Sequence, residues 1–251
     1  MSEDKRKLII TIDGDGNQRP EWIKNIHQII RSHPTLKFTT SIITCYLNGE
    51  MHQDIREELT NHTSNLLKEP NVEPASHTHT HPFDWENPVA NILAEKWSVD
   101  DEVNKSKATI KQLSGKTPKM LLLSGNCNPT GKQVEQIYRN NMTPFNGGAH
   151  DEEPYRLIDG YRVYNQRGLP DVHYHGIRKW REGKAYLDYP DGYKNAVFYF
   201  KEHVDRVVHV YFHFYAGEFK ETVDAVNHVL DWCVSQGFES MYLSEYIETL
   251  L

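Results

Sequence analysis

Short apolar runs alternate with segments of helical periodicity along most of the chain, and this alternation limits its fold more than any other feature. Runs that predict strands lie at residues 7–13, 38–46, 119–123, 207–215 and 240–243, and a short extended piece lies at residues 72–76. Segments that predict helices lie at residues 20–30, 51–68, 98–113, 130–139 and 218–235, with a terminal helix after residue 243. Ser98 followed by acids at 100–102 is typical of a helix N-terminus. Strands and helices in this alternation form parallel βαβ units.

The number of these units in a chain of 251 residues favours a barrel-like sheet over an open one. We therefore predict an α/β fold of the distorted (β/α) barrel type. Between about residues 141 and 192 the pattern weakens, and short strands with long loops are expected there. No repeat, low-complexity tract or Pro/Ser-rich linker divides the sequence, so residues 1–251 are expected to form a single domain.

Net charge and simple motifs argue against several classes of function. The formal net charge is −7 and the pI is near 6.0, whereas nucleic-acid-binding domains usually carry a basic stripe. The sequence has no apolar run as long as a membrane span, no P-loop, and no GxGxxG after its first strand-like run. Its N-terminus lacks the pattern of a signal peptide, which leaves two alternatives: a cytoplasmic protein, or a domain cut from a larger exported protein.

Three histidines at strict two-residue spacing follow the third predicted strand, in residues 76–83 (SHTHTHPF). On an exposed strand, His77, His79 and His81 would point to one side and form a weak metal patch or a chance polar face. In a loop or the first turn of a helix, His77 and His81 would meet while His79 pointed elsewhere. That second arrangement predicts a two-histidine clamp that still needs a carboxylate.

Polar residues also follow other predicted strands, at ends that would share one rim of the barrel. The first strand-like run leads into residues 13–16 (DGDG), the fourth into residues 124–129 (SGNCNP), and a late run carries His213. Each feature alone has an ordinary explanation: a turn, a polar loop, or a core histidine. Catalytic groups of parallel α/β barrels collect at the carboxyl ends of the strands, so the combination predicts a functional site.

These motifs resemble those of the polysaccharide deacetylases of the NodB-homology group, also called carbohydrate esterase family 4 (CE4). Residues 11–16 (TIDGDG) are similar to the family's first motif, residues 77–81 (HTHTH) to its second, and the run ending in His213 to its final histidine motif. A narrower resemblance is to the deacetylase domain of the Pel exopolysaccharide-modifying proteins. It is carried by the sequence of residues 76–85 (SHTHTHPFDW) and by the segments LSGNCNP, NGG and YFHFYAGE. The resemblance spans nearly the whole chain.

The resemblance implies a metal-dependent polysaccharide N-deacetylase on a distorted (β/α) barrel of the NodB-homology type. Carried over by motif, Asp13 is the catalytic base and His213 is the general acid. Asp15, His77 and His81 are the ligands of a divalent metal, with Zn²⁺ favoured and Co²⁺ or Ni²⁺ suited to the same donors. The metal-activated water would remove acetyl groups from N-acetylhexosamine (GalNAc or GlcNAc) residues of an acetylated polysaccharide, with the Pel exopolysaccharide as the leading candidate.

The sequence around the proposed base departs from the motifs of these deacetylases. The candidate sugar contacts lie outside those motifs. The two aspartates are one residue further apart than in the usual first motif, and the arginine-containing third motif is absent from residues 121–125. Asn126 is therefore a candidate for holding Asp13 and for binding substrate. Trp85 and Tyr215 are expected to stack on sugar rings. A periplasmic or extracellular location, and contact with exopolysaccharide-export machinery in a longer protein, are also implied.

Two other functions stay open on the sequence. A carbohydrate-binding domain that keeps the fold but has weak or no activity would account for the missing arginine motif. A glycoside hydrolase would use Asp13 and Asp15 as its carboxylate pair, although the histidine clamp has no role in that chemistry.

Overall fold

The structure is a computed structural model that describes residues 6–47, 54–82, 98–124, 129–151, 154–167 and 207–251. Its strands are β1 (Lys7–Asp13), β2 (Phe38–Ile42), β3 (Val72–Ser76), β4 (Met120–Leu122), β5 (Thr143–Asp151), β6 (Tyr155–Ile158), β7 (Tyr161–Arg167), β8 (Val207–His213) and β9 (Glu239–Met241). Its α-helices are α1 (Pro20–Ser32), α2 (Arg56–Lys68), α3 (Val99–Ser114), α4 (Gly131–Arg139), α5 (Lys220–Ser235) and α6 (Leu243–Glu248). A 3-10 helix covers Phe214–Glu218.

These strands form one mostly parallel sheet. Their order is β6-β7-β5-β4-β3-β2-β1-β8, and β9 pairs with the first half of β1. The pairings are parallel apart from the antiparallel β6–β7 hairpin. Hydrogen bonds do not close the described strands into a ring, although β7 and β8 contact each other. The predicted barrel-like α/β fold class is confirmed, whereas the single domain over residues 1–251 stays a prediction.

The predicted elements agree with the observed ones except near their ends. The strand predicted at 38–46 ends at Ile42, because the apolar residues that follow are buried in a loop instead of a strand. The strand predicted at 207–215 ends at His213, where the 3-10 helix begins. The weakly patterned region contributes β5, β6 and β7, and its residues 152–153 and 168–192 lie outside the described residues. In the described part of the chain, no helix combines the length and apolar character that crossing a membrane requires.

Alternation along β1 separates two apolar layers. Leu8, Ile10 and Ile12 pack with the buried isoleucines of α1 in the layer between sheet and helices. Ile9 points to the other face, where it joins Phe145 and the buried side chains of α6. Because side chains alternate along a strand, the face that carries Ile9 also carries Thr11 and then Asp13. The interior face of the sheet therefore changes from apolar to polar towards the carboxyl end of β1.

Candidate active site

Two glycines allow the loop after β1 to pass through a crowded region. A Cβ on Gly14 would lie 2.8 Å from the Cβ of His77. Gly16 has a φ of +95°, and a Cβ there would lie 2.7 Å from the backbone nitrogen of Tyr215. The extra residue between Asp13 and Asp15 is thus a glycine because the histidine segment passes directly against it. This spacing brings both carboxylates to one site.

The histidine loop, residues 77–81, is buried except for the half-buried Thr80, and it is not part of a strand. His77 Nε2 and His81 Nε2 lie 3.0 Å apart, whereas His79 Nδ1 lies 2.9 Å from the hydroxyl of Thr44. The clamp predicted from i,i+4 spacing is therefore present, with His79 outside it. The alternative of an exposed strand is wrong, because His77, His79 and His81 are only 1%, 1% and 4% exposed.

Asp15, His77 and His81 form a cluster that suits a metal ion. One donor atom from each residue lies within 4.8 Å of the other two, and Asp15 Oδ1 is 3.1 Å from His81 Nε2. His77 Nδ1 faces away from the cluster, 3.0 Å from the carbonyl oxygen of Leu122, so His77 offers Nε2. Burial, with His77 nearby, lowers the pKa of His81 to about 4, which keeps it in the neutral form that ligates metals. Two imidazoles and one carboxylate are the donors of many catalytic metal sites, so these residues fit a divalent metal.

The Asp13 carboxylate is surrounded by hydrogen-bond donors. Its Oδ1 accepts from the Gly14 N–H at 2.7 Å and from the Ser41 hydroxyl at 3.1 Å, and it lies 2.8 Å from His77 Nδ1. Its Oδ2 accepts a short hydrogen bond from the Tyr211 hydroxyl. Ser41 and Tyr211 thus hold Asp13 in this chain, whose sequence lacks the arginine-containing third motif of the CE4 deacetylases. The sequence assigned neither residue to this role, although Tyr211, an aromatic suited to sugar rings, precedes His213 by two residues and shares its strand face.

Electrostatics favour the charged form of Asp13 and raise the proton affinity of His77, whose Nε2 would have to be unprotonated to ligate a metal. Burial alone would raise the pKa of Asp13, but the charges of His77 and His213 and the hydrogen bonds from His77 and Tyr211 outweigh it. The pKa of Asp13 therefore lies well below its usual range. Burial opposes the charge on His77 too, yet the neighbouring Asp13 and Asp15 raise its pKa. Asp13 is consequently anionic and fixes the orientation of the His77 ring.

His213 lies beside both aspartates. Its Nε2 is 3.1 Å from the Tyr211 hydroxyl, 3.4 Å from Asp15 Oδ2 and 3.9 Å from Asp13 Oδ2. The Tyr215 ring stacks on the His213 ring, with centroids 4.6 Å apart and planes at 14°. One face of Tyr215 is therefore occupied by the imidazole, and a sugar ring would have only its other face. Tyr211 joins Asp13 to His213 through one hydroxyl.

The structure brings together five of the residues that the sequence predicted for the site, namely Asp13, Asp15, His77, His81 and His213. Tyr215 contacts this group through His213. Trp85 and Asn126 lie outside the described residues, so their predicted substrate contacts stay predictions.

Comparisons with known proteins find solved structures that share this fold. No family model and no curated protein matches this chain. BA3943 is a CE4 family pseudoenzyme from Bacillus anthracis, and a mutant of it with restored enzymatic activity has a structure similar to this chain. The TM-score is 0.61 and the sequence identity is 13%, and the match covers 96% of this chain and 67% of that one. The Bc1960 peptidoglycan N-acetylglucosamine deacetylase is also similar, with a TM-score of 0.59 and 14% sequence identity, and the match covers 96% of this chain and 87% of that one.

An enzyme with a different activity has a structure that is equally similar to this chain. The 4-alpha-glucanotransferase from Thermococcus litoralis gives TM-score 0.61 at 13% identity, covering 97% of this chain but 38% of that one. Identities this low show a shared fold, and one fold supports more than one activity. The fold of this chain is therefore that of the CE4 deacetylases, and its chemistry has to be inferred from the side chains of the site.

Proposed function

We propose that this chain is a metal-dependent N-deacetylase of the CE4 type, acting on N-acetylhexosamine residues of a polysaccharide. The observation that carries the proposal is the cluster of Asp15, His77 and His81 beside Asp13 and His213. A structural metal site would not need an anionic carboxylate and an imidazole alongside its ligands. Hydrolysis of an amide needs both, one to accept a proton and the other to donate one.

The side chains have separate tasks in the proposed reaction. A divalent metal held by Asp15, His77 and His81 would supply a water of lowered pKa and polarise the acetamido carbonyl. Asp13 is held anionic and accepts the proton of the attacking water at Oδ2, the oxygen that faces Tyr211 and His213. His213 donates a proton from Nε2 to the amine nitrogen as the C–N bond breaks, because an unprotonated amine anion is a very poor leaving group.

The substrate we propose is an exopolysaccharide rich in N-acetylgalactosamine, of the Pel type. Its support is the finer resemblance of the sequence around residues 76–85 and 124–129 to the Pel-modifying deacetylases. A periplasmic or extracellular location and contact with export machinery belong to the same proposal. N-acetylglucosamine polymers are the competing substrate, since the Bc1960 enzyme with this fold is an N-acetylglucosamine deacetylase.

Two measurements on the purified chain test the proposal. Elemental analysis after dialysis should find one Zn²⁺, Co²⁺ or Ni²⁺ per chain, and Asp15→Asn should lose it. Acetate should then be released from N-acetylgalactosamine or N-acetylglucosamine oligomers in a metal-dependent manner, with the better substrate identified by kcat/KM.

Each contrary result has a definite meaning. Stoichiometric metal without acetate release from either oligomer would favour the carbohydrate-binding domain with weak or no activity. The appearance of new reducing ends in place of acetate would favour the glycoside hydrolase. If the dialysed chain contains none of Zn²⁺, Co²⁺ and Ni²⁺, the proposal is overturned.

A further inference from the structure

A buried carboxylate of α3 contacts the histidine loop through residues outside the metal cluster. Glu102 is only 4% exposed, and its Oε2 accepts hydrogen bonds from the backbone N–H groups of His79 at 2.7 Å and Thr80 at 2.8 Å. Its Oε1 accepts from the Thr80 hydroxyl at 2.7 Å. One side chain thus holds the middle of the loop through three hydrogen bonds, without belonging to the metal cluster.

The loop that Glu102 holds has an unusual backbone. Thr78 has a φ of +67° and His81 a φ of +58°, so two residues with side chains adopt the left-handed region. This region is uncommon for any residue other than glycine and rare for a β-branched one. Such conformations persist where the surrounding contacts over-determine them, and they collect at functional sites. The two residues bound by Glu102 lie between Thr78 and His81, where those contacts are needed.

Glu102 is itself held in place by the start of α3. The hydroxyl of Ser98 caps the helix by accepting from the Asp101 N–H at 3.1 Å, and the Glu102 N–H donates to the Ser98 carbonyl at 3.0 Å. One turn further along, the Ser106 hydroxyl lies 2.7 Å from that of Ser76, the residue before the loop. The beginning and the middle of the histidine loop are therefore attached to one rigid helix.

We propose that Glu102 is a positioning residue for the metal site, which sets the distance between His77 and His81 by fixing the backbone that joins them. The inference rests on the proposed function, because it assumes that these histidines bind a metal. Without the carboxylate, the N–H groups of His79 and Thr80 would lose this acceptor, the Thr80 hydroxyl would lose one of its partners, and the left-handed residues would relax. His77 and His81 would then no longer be preorganised for a common metal ion.

The test compares metal affinity in three variants of the full chain. The Kd for Zn²⁺ is measured by competition with a chromophoric chelator, and the ligand geometry by the visible absorption of the Co²⁺ form. Glu102→Ala should weaken Zn²⁺ binding by about 10-fold to 100-fold, the range typical of groups that orient metal ligands, and should alter the Co²⁺ spectrum. Glu102→Gln should keep most of the affinity, because its amide oxygen can accept from both N–H groups while its NH₂ donates to Thr80.

The matched control is Ser114→Ala, which removes another buried hydrogen-bonding side chain of α3. The Ser114 hydroxyl bonds to the carbonyl of Ile110 and to the backbone of Lys116, far along the helix from the loop. This variant should lower the melting temperature without changing the Kd for Zn²⁺. A purely structural role for Glu102 predicts the same result for Glu102→Ala.

The outcomes separate this inference from the proposed function. If the wild-type chain binds no Zn²⁺, the proposed function fails. If the wild type binds and Glu102→Ala binds as tightly, the positioning role is wrong while the metal site stands. Should Glu102→Ala not fold, Glu102→Asp replaces it: a side chain one methylene shorter cannot hold all three donors, so unchanged affinity in that variant would overturn the inference. Equal losses in Glu102→Gln and Glu102→Ala would also contradict it.

Discussion

Two histidines on the same face of β8, His209 and His213, have opposite surroundings although they are only four positions apart. His213 lies 3.4 Å from Asp15 and 3.9 Å from Asp13, at the carboxyl end of the strand. His209 instead lies 2.8 Å from the Thr11 hydroxyl, and its ring centroid is 5.4 Å from that of Phe145. Burial lowers the pKa of His209 to about 3, so this imidazole is neutral in the folded protein.

The difference between them follows from strand register. β1 and β8 pair in parallel with Ile9 opposite His209 and Asp13 opposite His213, so the interior face has an apolar end and a polar end. The polar end comprises the metal cluster with Asp13, Tyr211 and His213, and the apolar end comprises the cluster around Ile9 that includes Phe145. A histidine at one end is a candidate acid, and a histidine at the other is a core residue. The comparison teaches that the neighbours across the sheet determine the role of each imidazole.

The largest expected effects separate the two aspartates of the polar end. Asp15→Asn replaces an anionic ligand by a neutral amide, so bound metal and activity should both be lost. Asp13→Asn leaves all three ligands but removes the proton acceptor, so metal should remain while kcat falls by about 10²-fold to 10⁴-fold. Elemental analysis and acetate release check both results. If Asp13→Asn loses the metal and Asp15→Asn keeps it, the roles of the two residues are exchanged.

The next effect compares the two histidines directly. His213→Ala removes the proposed acid and should lower kcat by about 10²-fold to 10⁴-fold with the metal still bound. His209→Leu removes an imidazole of similar burial from the same strand face and should leave kcat nearly unchanged. Acetate release and metal content are measured for both. Equal decreases in kcat in the two variants would mean that both histidines of β8 affect activity only by stabilising the fold.

The elements of the fold were largely predictable, because their signals are local. The first strand is predicted with the bounds that β1 has, since β-branched and apolar residues in a short run have few alternatives. The third is predicted with the bounds of β3, although its sequence VEPAS is not an apolar run. Strand ends were less predictable. The loop after β2 is as apolar as a strand because it is buried beneath the site, as Ile43 and Cys45 show.

The residues of the site were predictable only where they belong to a short sequence motif. The candidate metal ligands and His213 came from motifs whose residues are near one another in sequence. Tyr211 and Asp13 are 198 positions apart, and their contact depends on the pairing of β1 with β8, which no local pattern specifies. Glu102 was interpreted as one of the acids that favour a helix N-terminus, and its contact with the histidine loop depends on how α3 packs.

A smaller effect is expected from the hydroxyl that joins Asp13 to His213. Tyr211→Phe keeps the ring but removes a hydrogen bond to a charged group, which is worth about 1.5–3 kcal/mol, or roughly a 10-fold to 100-fold decrease in kcat. KM and metal content should stay near the wild-type values. Tyr164→Phe, at a buried tyrosine of the apolar end, is the control and should leave kcat unchanged. Equal kcat in Tyr211→Phe and wild type would exclude a role for the hydroxyl in holding the base.

The smallest effect on turnover, and the clearest on stability, is expected at His209. Its pKa is about 3 in the folded protein and near 6.5 when unfolded, so the unfolded chain binds more protons between these values. His209 therefore makes the free energy of unfolding fall as the pH drops from about 6.5 towards 3, by up to about 1.4 kcal/mol per pH unit. Urea unfolding across this range should show that His209→Leu lacks this component.

At pH 7.5, His209→Leu should still cost about 1–3 kcal/mol, because it leaves the Thr11 hydroxyl buried without the imidazole. Adding Thr11→Val should restore part of that loss, since an apolar pair replaces a hydrogen-bonded one at the apolar end. The same double replacement at the polar end would abolish the proposed chemistry. If the unfolding free energies of wild type and His209→Leu stay parallel down to pH 4, His209 is not the neutral core imidazole that separates the two ends of the interior.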